Sequence, residues 1–527
     1  MAVSPANLRA MLVDGDEIAL LDVREEGEFG TKHILLAVNV PMSVLELRTS
    51  NLVPRANTRI VLCDSDGGDL AVRGAARLQQ FGYTDIDLLE GGTEAWEQAG
   101  FETFSGMNVP SKLFGEFIEH HYNTPSISAE ELTRNIDAGE DLVVLDSRPR
   151  DEYNTMSIPG STCIPGAELV FQIREVVANT NTLVVVNCAG RTRSIIGAQS
   201  LINADIGNQV VALRNGTMGW HLAGFELEHG QQRYVDKVGP LNGEEAQRHA
   251  AAVAKRFGVR TIDQQTLNLW QQSAQRSVFL LDVRSPEEYI SGHVPASICA
   301  PGGQLVQATD RYVGTLRATL VLVDDNGVRA AMTASWLNQL GLHEVVVLER
   351  ALFDSTLLRG RQRLNALGIE NVVSAHIDAF ELSQRMANSA VALIDLQRSL
   401  GFRKAHIDGA IHATRGRVAQ RMGALPEHEL LVLTARDDLL ARYAFDEVSQ
   451  LSDVPVQVLR GGNEAWEAQG FALVSGNDGL EEDPVDAFLR PYDRDKSIED
   501  AMQSYLDWEI ALMDKLDKDG TLAFKTA

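Results

Sequence analysis

The chain repeats one sequence pattern four times, and this repetition limits what it can fold into more than any other feature does. Each copy opens with a short apolar run that ends in an aspartate, and a second apolar run follows further along. The four openings read "ALLDVREEGEF", "VVLDSRPRDEY", "FLLDVRSPEEY" and "ALIDLQRSLGF", and their aspartates are Asp22, Asp146, Asp282 and Asp395. Recurrence of this kind is typical of a chain built from one folding unit. We therefore expect four tandem domains of one topology.

The order of apolar and helical patterns within a copy predicts the fold of that unit. The second apolar runs read "RIVLCDS", "TLVVVNC", "TLVLVDD" and "ELLVLTA", and each precedes a segment of helical periodicity and a closing strand and turn such as "DLLEGGTEAW". Short strands that alternate with helices predict an α/β fold with a parallel sheet flanked by helices. The predicted domains are residues 1–104, 126–226, 258–370 and 372–475.

Two further segments join or follow these domains. Residues 227–257 are predicted to form a helical connector, and residues 476–527 an acidic linker with a C-terminal helix. Ser497 and Asp500 form an approximate capping box at the start of this helix. We interpret the tail as structural rather than catalytic.

Composition excludes several classes of function. The net charge of -26 argues against binding to nucleic acid or to an anionic membrane, because both need a basic surface. No apolar run is long enough for a membrane span, and the amino terminus lacks the features of a secretory signal, so we expect a cytoplasmic protein. The chain has 4 cysteines and no CxxC pair, which argues against a disulfide framework or a zinc site. We expect neither a metal nor a cofactor, and a homo-oligomer remains open.

The second copy contains a loop that the other copies lack. The strand "TLVVV" runs into "NCAGRTRS", which places Cys188 at the end of a buried strand. Small residues let the backbone curl around the sulfur, and nearby arginines and a helix amino terminus favour the thiolate form. Cys188 is therefore the candidate nucleophile. The candidate substrate-binding residues are Ala189, Gly190, Arg191, Thr192, Arg193 and Ser194.

Alignment of the four loops predicts that only the second copy is active. The alignment places Ser65 at the Cys188 position in copy one, Asp324 in copy three, and Thr434 or Ala435 in copy four. The other cysteines are expected to be core residues, since free cysteine is among the most buried residue types. They are Cys63, Cys163 and Cys299.

Three more residues of copy two are candidate supporting residues. Asp146 and Arg148 have equivalents in copies one and three, which lack the thiol, so a structural ion pair is the favoured interpretation. Glu152 is placed to orient Arg148 or a loop arginine.

These motifs together resemble the rhodanese family of sulfurtransferases. The resemblance rests on "LDVR" and "LDSR", on the turns "GHVPAS" and "SIPGS", on "CAGRTRS", and on "LEGGTEAW", and it covers nearly all of the chain. It implies a tandem four-rhodanese protein that moves a sulfane sulfur from thiosulfate, or a similar anionic donor, to cyanide, a thiol or a sulfur carrier. The sulfur would pass through a persulfide on Cys188.

Two alternatives stay open at this point. Some members of the fold are phosphatases or arsenate reductases, but their loop is one residue longer than the segment between Cys188 and Arg193, which resembles the tighter sulfurtransferase loop. A non-catalytic array of docking domains is the other alternative, because fold alone does not confer activity. Within the sulfurtransferases, two arginines favour a dianion such as thiosulfate over mercaptopyruvate.

Overall fold

Four five-stranded parallel sheets make up the described part of the chain. The computed structural model describes residues 1–349, 352, 356–362, 365–481, 485–494 and 496–526. Every sheet has the same strand order, in which the first strand of the copy is followed by the fifth, fourth, second and third. Every strand pairing is parallel, and helices flank the sheets, which confirms the predicted α/β class. Each sheet lies inside one predicted domain range.

Domain one precedes a long helix, α6, that leads into domain two. The strands of domain one are β1 Ala2–Val3, β2 Ala19–Asp22, β3 Val38–Asn39, β4 Ile60–Cys63 and β5 Ile86–Leu89. The helices are α1 Pro5–Val13, α2 Glu26–Thr31, α3 Leu45–Leu52, α4 Asp69–Gln80, α5 Gly92–Gln98 and α6 Val109–Tyr122.

Domain two is followed by the predicted helical connector, α12. The strands of domain two are β6 Ser126–Ile127, β7 Leu142–Asp146, β8 Thr162–Cys163, β9 Leu183–Asn187 and β10 Val210–Leu213. The helices are α7 Ala129–Asp137, α8 Arg150–Thr155, α9 Leu169–Val176, α10 Thr192–Asn203, α11 Gly216–Leu222 and α12 Pro240–Arg256.

Domains three and four repeat this arrangement. Their strands are β11 Arg260–Ile262, β12 Val278–Asp282, β13 Ile298–Cys299, β14 Thr319–Val323, β15 Glu344–Leu348, β16 His376–Ile377, β17 Val391–Asp395, β18 Ala410–His412, β19 Leu430–Thr434 and β20 Val456–Leu459. Their helices are α13 Gln264–Gln271, α14 Pro286–Ser291, α15 Gly302–Gln307, α16 Arg329–Leu340, α17 Ala379–Asn388, α18 Ser399–Lys404, α19 Val418–Arg421, α20 Leu439–Leu451 and α21 Gly462–Ala468.

The central strands are largely apolar and buried because both faces of each sheet are covered. All five residues of β14, "TLVLV", and of β19, "LLVLT", are buried. Continuous apolar runs of this kind are what a parallel sheet with helices on both faces requires. The carboxyl ends of these strands, where the loops begin, are therefore held on a rigid core.

Buried ion pairs join the domains across their interfaces. Arg329 of domain three donates to Glu168 of domain two at 2.9 Å. Arg415 of domain four donates to Glu46 of domain one at 2.8 Å, and that carboxylate is fully buried. These contacts place domain two against domain three, and domain one against domain four.

The C-terminal tail forms two helices, α22 Ile498–Ala511 and α23 Met513–Asp519. The predicted helix is confirmed, but the predicted capping box is wrong. Ser497 precedes α22 with a φ of 51°, and its side chain makes no capping hydrogen bond. A left-handed backbone at this position points the hydroxyl away from the first helical amides. Met502 and Leu506 of α22 pack on Met218 of α11, so the tail lies against domain two.

Glu25 gives domain one a pH-dependent stability. Only 5% of this residue is exposed, and burial raises the pKa of its carboxyl to about 8, with Asp486 and Glu28 adding repulsion. Between pH 4.5 and 8 the folded state then keeps a proton that the unfolded state has released, so stability falls as pH rises through this window. We expect Glu25→Gln, which keeps an acceptor for Ser43, to stabilise the protein by about 3 kcal/mol at pH 8 and little at pH 5. Thermal unfolding of both proteins at the two pH values checks this, and an equal difference at both would contradict it.

Candidate active site

The loop that carries Cys188 begins where β9 ends and runs into α10. Cys188 is 2% exposed, and its Sγ lies 3.5 Å from the Oγ of Ser194. Its carbonyl oxygen accepts hydrogen bonds from the amide and the hydroxyl of Thr217, at 2.8 and 2.9 Å. The closing turn thus holds the base of the loop.

Gly216 is required by this contact between the loop and the closing turn. Its φ is 56°, and a Cβ at this position would lie 2.4 Å from the carbonyl oxygen of Cys188. Any other residue would push the loop away from the turn, so the motif "NGTMGW" has a steric role beside the catalytic loop.

Strand register corrects the alignment of the other three loops. In domain two, the strand-end aspartate Asp146 pairs with Asn187 of the neighbouring strand. The residue that pairs with the strand-end aspartate is Cys63 in domain one, Val323 in domain three and Thr434 in domain four. The residues that follow these, and that match Cys188, are Asp64, Asp324 and Ala435. Ser65 was therefore placed one position too late, because the sequence alignment matched Ile60 to Leu183, whereas strand register matches it to Val184. The ambiguity between Thr434 and Ala435 is resolved in favour of Ala435.

A carboxylate occupies the loop in domains one and three. Asp64 accepts from the amides of Gly67 at 2.6 Å and Ala71 at 3.0 Å. Asp324 accepts from the amides of Gly327 at 2.9 Å and Ala330 at 3.0 Å. Backbone amides that converge in this way favour an anion. A carboxyl group therefore already fills the loop of each of these two domains at the position of the Cys188 thiol.

Arg193 lies in the first turn of α10 and is held by Glu152. Its Nη1 and Nη2 donate to the two carboxylate oxygens at 3.0 and 2.8 Å. Burial opposes the charge on Glu152, but Arg193 outweighs it and lowers the pKa of that carboxyl to about 2. Glu152, which was predicted to orient an arginine, thus orients Arg193. The pKa of Arg193 is raised above its usual range, against burial, by Glu152 and by Cys188.

Arg191 is bound to carboxylates of α6. Its Nε and Nη2 donate to Glu116 at 2.7 Å each, Nη2 also donates to Glu119, and Nη1 donates to Asn215. These partners hold the guanidinium between the loop and the helix that precedes domain two. A contact between Arg191 and a donor stays a prediction, and it would require these bonds to be exchanged.

The hydroxyl residues of the loop have separate partners. Ser194 Oγ donates to the carbonyl oxygen of Arg191 at 2.7 Å and so closes the loop on itself. Thr192 Oγ1 donates to Oε1 of Glu509 at 2.5 Å, across to α22. Ala189 is buried, and Gly190 lies under the side chains of Met218, Tyr505 and Glu509.

Asp146 and Arg148 form a buried ion pair beneath the loop. Arg148 Nε and Nη2 donate to Asp146 at 2.9 and 2.7 Å, and Nη2 also donates to the carbonyl oxygen of Met156. Asn187 connects the pair to the closing turn, since its Nδ2 lies 3.0 Å from Asp146 and 3.1 Å from Thr217. Equivalent pairs exist in domains one and three, where Arg24 binds Asp22 and Arg284 binds Asp282. Their presence in those domains supports the structural interpretation.

The other cysteines are strand residues, in β4, β8 and β13, and none lies at the Cys188 position of a loop. Burial raises the pKa of Cys63 well above its ordinary value and also raises that of Cys163, and both are core residues. Cys299 is only half-buried, and burial raises its pKa to about 11. The expectation that Cys299 is a core residue is therefore wrong in degree. The equivalent Cys163 also lies on an edge strand, but there the connector pairs with it at Arg233 and Tyr234.

Sequence analysis missed the side chains that approach the loop from outside domain two. Glu116 and Lys112 lie on α6, and Tyr505 and Glu509 lie on α22. The spacing of residues in one copy carries no signal for contacts with helices outside it. Among the described residues, no group of three or more His, Cys, Asp or Glu side chains is arranged to hold a metal ion.

The chain is similar in sequence to members of one known protein family. The model of the family described as "Rhodanese-like domain" matches residues 4–99, 128–223 and 265–354. The chain belongs to the rhodanese family. A crystal structure of a thiosulfate sulfurtransferase from Pseudomonas aeruginosa is 45% identical and covers 99% of each chain, with a TM-score of 0.96. This rhodanese therefore shares its whole four-domain fold with a solved structure.

Curated relatives match single domains of this rhodanese. A sulfurtransferase of Allochromatium vinosum is 29% identical over 98 residues, which are 19% of this chain and 89% of that protein. A putative sulfur carrier protein of Bacillus subtilis is 27% identical over 116 residues, which are 20% of this chain and 62% of that protein. The chain spans 45%, 61% and 62% of the lengths of the first three curated relatives. The comparisons support a rhodanese-type sulfur transfer.

No helix in the described ranges is both long and apolar enough to cross a lipid bilayer.

Proposed function

We propose that this rhodanese is a thiosulfate sulfurtransferase whose persulfide forms on Cys188 of domain two. The observation that carries this proposal is the position of Cys188, at the carboxyl end of β9 and in a loop that α10 and Arg193 complete. None of the other three loops has a thiol at the matching position, where Asp64, Asp324 and Ala435 lie.

The reaction consists of two displacements at sulfur. The Cys188 thiolate attacks the outer sulfur of thiosulfate, the S–S bond of the donor breaks, and sulfite leaves with the electron pair. Cyanide or a thiolate then attacks the outer sulfur of the persulfide. The S–S bond at Cys188 breaks, the thiolate returns, and thiocyanate or a new persulfide leaves. No net oxidation of the protein occurs.

The surroundings of Cys188 suit both steps. Arg193 and the amino terminus of α10 place positive charge beside a thiolate and a persulfide anion. In the sister domains the loop amides bind Asp64 and Asp324, and we propose that amides of the Cys188 loop stabilise an anionic sulfur in a similar way. We propose cyanide, a thiol or a sulfur carrier as acceptor, and a cytoplasmic location.

Formation of thiocyanate from thiosulfate and cyanide tests the proposal. We expect turnover that saturates with thiosulfate, with ping-pong kinetics because the enzyme carries the sulfur between two substrates. A parallel assay with para-nitrophenyl phosphate is expected to show no hydrolysis. Hydrolysis without thiocyanate would favour a phosphatase, and inactivity in both assays would favour a docking array.

A further inference from the structure

The C-terminal helix α22 covers the catalytic loop. A side-chain carbon added at Gly190 would lie 2.9 Å from Met218 Cε, 3.4 Å from Glu509 Oε2 and 3.5 Å from Tyr505 Cε1. The tail therefore leaves room for little more than one carbon above Gly190, and Thr192 of the loop donates directly to Glu509 of the tail. Together with the 2% exposure of Cys188, this contact makes the tail a wall of the site.

Glu509 is a buried carboxylate with one unused oxygen. The residue is 0% exposed, and its Oε1 accepts from Thr192 and lies 3.2 Å from Nζ of Lys112. Its Oε2 has no hydrogen-bond partner in the described structure. An unpaired buried carboxylate oxygen is costly. The unpaired oxygen makes the carboxylate of Glu509 less firmly held than a fully paired one, so an arriving anion can replace it beside Lys112 and Thr192.

Lys112 supplies a cation next to Glu509, which in turn contacts the catalytic loop at Thr192. It lies on α6 and is 8% exposed, and its Nζ is 5.4 Å from the ring centroid of Tyr505. Burial and Arg193 both act to lower the pKa of Lys112, but Glu509 outweighs them and raises it above its usual range. Lys112 is thus charged and lies within the field of the catalytic loop.

The loop arginines are more completely neutralised than Lys112. Arg191 is bound by two carboxylates, and Arg193 by both oxygens of Glu152. Lys112 has three N–H groups, and Glu509 is the carboxylate that faces it. An arriving anion therefore displaces fewer bonds at Lys112 than at either arginine.

We propose that Lys112 and the Thr192 hydroxyl form the subsite for the sulfonate end of the sulfur donor, and that Glu509 occupies this subsite when no donor is bound. This inference rests on the proposed function of Cys188. The sulfonate takes the place of the Glu509 carboxylate beside Lys112 and the Thr192 hydroxyl, and this exchange needs no covalent step. Domains one and three fill their loops with Asp64 and Asp324, and domain two receives its resident anion from the tail.

Two variants of the full chain separate the role of Lys112 from that of Glu509. Glu509→Gln removes the competing charge, so we expect the KM for thiosulfate to fall several-fold. The double variant Lys112→Met with Glu509→Gln also removes the cation, and its KM is expected to be roughly tenfold above that of Glu509→Gln, since a charge-assisted contact is lost. In both variants kcat with saturating thiosulfate is expected to stay within about twofold of the wild-type value. Replacing both partners of a buried pair is often neutral for stability, so the double variant is expected to fold.

Two control variants test whether the change in KM depends on the charge of Lys112 and on its position. Lys112→Arg keeps the charge and is expected to keep KM within about threefold. Lys404→Met, at an exposed lysine of domain four, is expected to change neither constant. Equal KM values in Glu509→Gln and the double variant, or a loss of kcat at unchanged KM, would overturn the proposal. A wild-type protein that forms no thiocyanate contradicts the proposed function instead.

Discussion

Replacement of Cys188 by serine is expected to abolish sulfur transfer, with kcat/KM for thiosulfate lower by at least about a thousandfold. Serine keeps the size of the side chain and the contact with Ser194, so the loop is expected to keep its shape. A hydroxyl is mostly protonated at neutral pH and a weak nucleophile toward sulfane sulfur, and it cannot carry a persulfide. Thiocyanate formation by the purified variant is the measurement.

The other cysteines provide the matched control. A variant with Cys63, Cys163 and Cys299 all replaced by alanine is expected to keep kcat/KM within about threefold, because these thiols lie outside the catalytic loop. Activity that survives in Cys188→Ser, or that disappears in the triple alanine variant while it remains folded, would contradict the assignment of the nucleophile.

Arg148→Met is expected to destabilise domain two by about 3–5 kcal/mol. The substitution leaves the carboxylate of Asp146, which is fully buried, without its cation. Arg148→Gln is expected to cost clearly less, because domain four already contains this arrangement. There Gln397 donates to Asp395 at 2.8 Å and to the carbonyl oxygen of Ala405 at 2.9 Å, the same two kinds of partner that Arg148 has.

Hydrogen exchange of the strand amides in β7 and β9 measures this loss of stability within domain two. Arg284→Met is the matched variant in domain three, where it is expected to raise exchange in β12 and β14 while sulfur transfer by the folded enzyme is unchanged. Equal costs for Arg148→Met and Arg148→Gln would show that the charge of the arginine is not what stabilises the domain.

The repeats were sufficient to predict the fold, because four apolar openings that end in aspartate can be aligned without structural information. The loops were harder, since apolar runs can be aligned one residue apart without an evident mismatch, and such a slip moved the domain-one position from Asp64 to Ser65. Only strand register, which pairs Asp22 with Cys63, resolves that shift. Spacing within one copy could predict Cys188 as the candidate, but not how its neighbours are paired.

The part of the site that the sequence could not predict consists of contacts with segments distant in the chain. Thr192 and Glu509 are 317 positions apart in the chain, and Arg191 and Glu116 are 75 apart. Nothing in the local pattern of "NCAGRTRS" indicates that a tail helix covers it. The interpretation of the tail as structural was therefore incomplete, because the packing of α22 brings a carboxylate onto the loop.

The central claim, that one thiol among four related domains carries the sulfur, is tested most directly by locating the persulfide. The wild-type protein is incubated with thiosulfate, digested without reductant, and its cysteine peptides are analysed by mass spectrometry. The account predicts one added sulfur atom on the peptide that contains Cys188 and none on those of Cys63, Cys163 and Cys299. Added sulfur on any of these three peptides with Cys188 unmodified, or no added sulfur on any peptide, would contradict it.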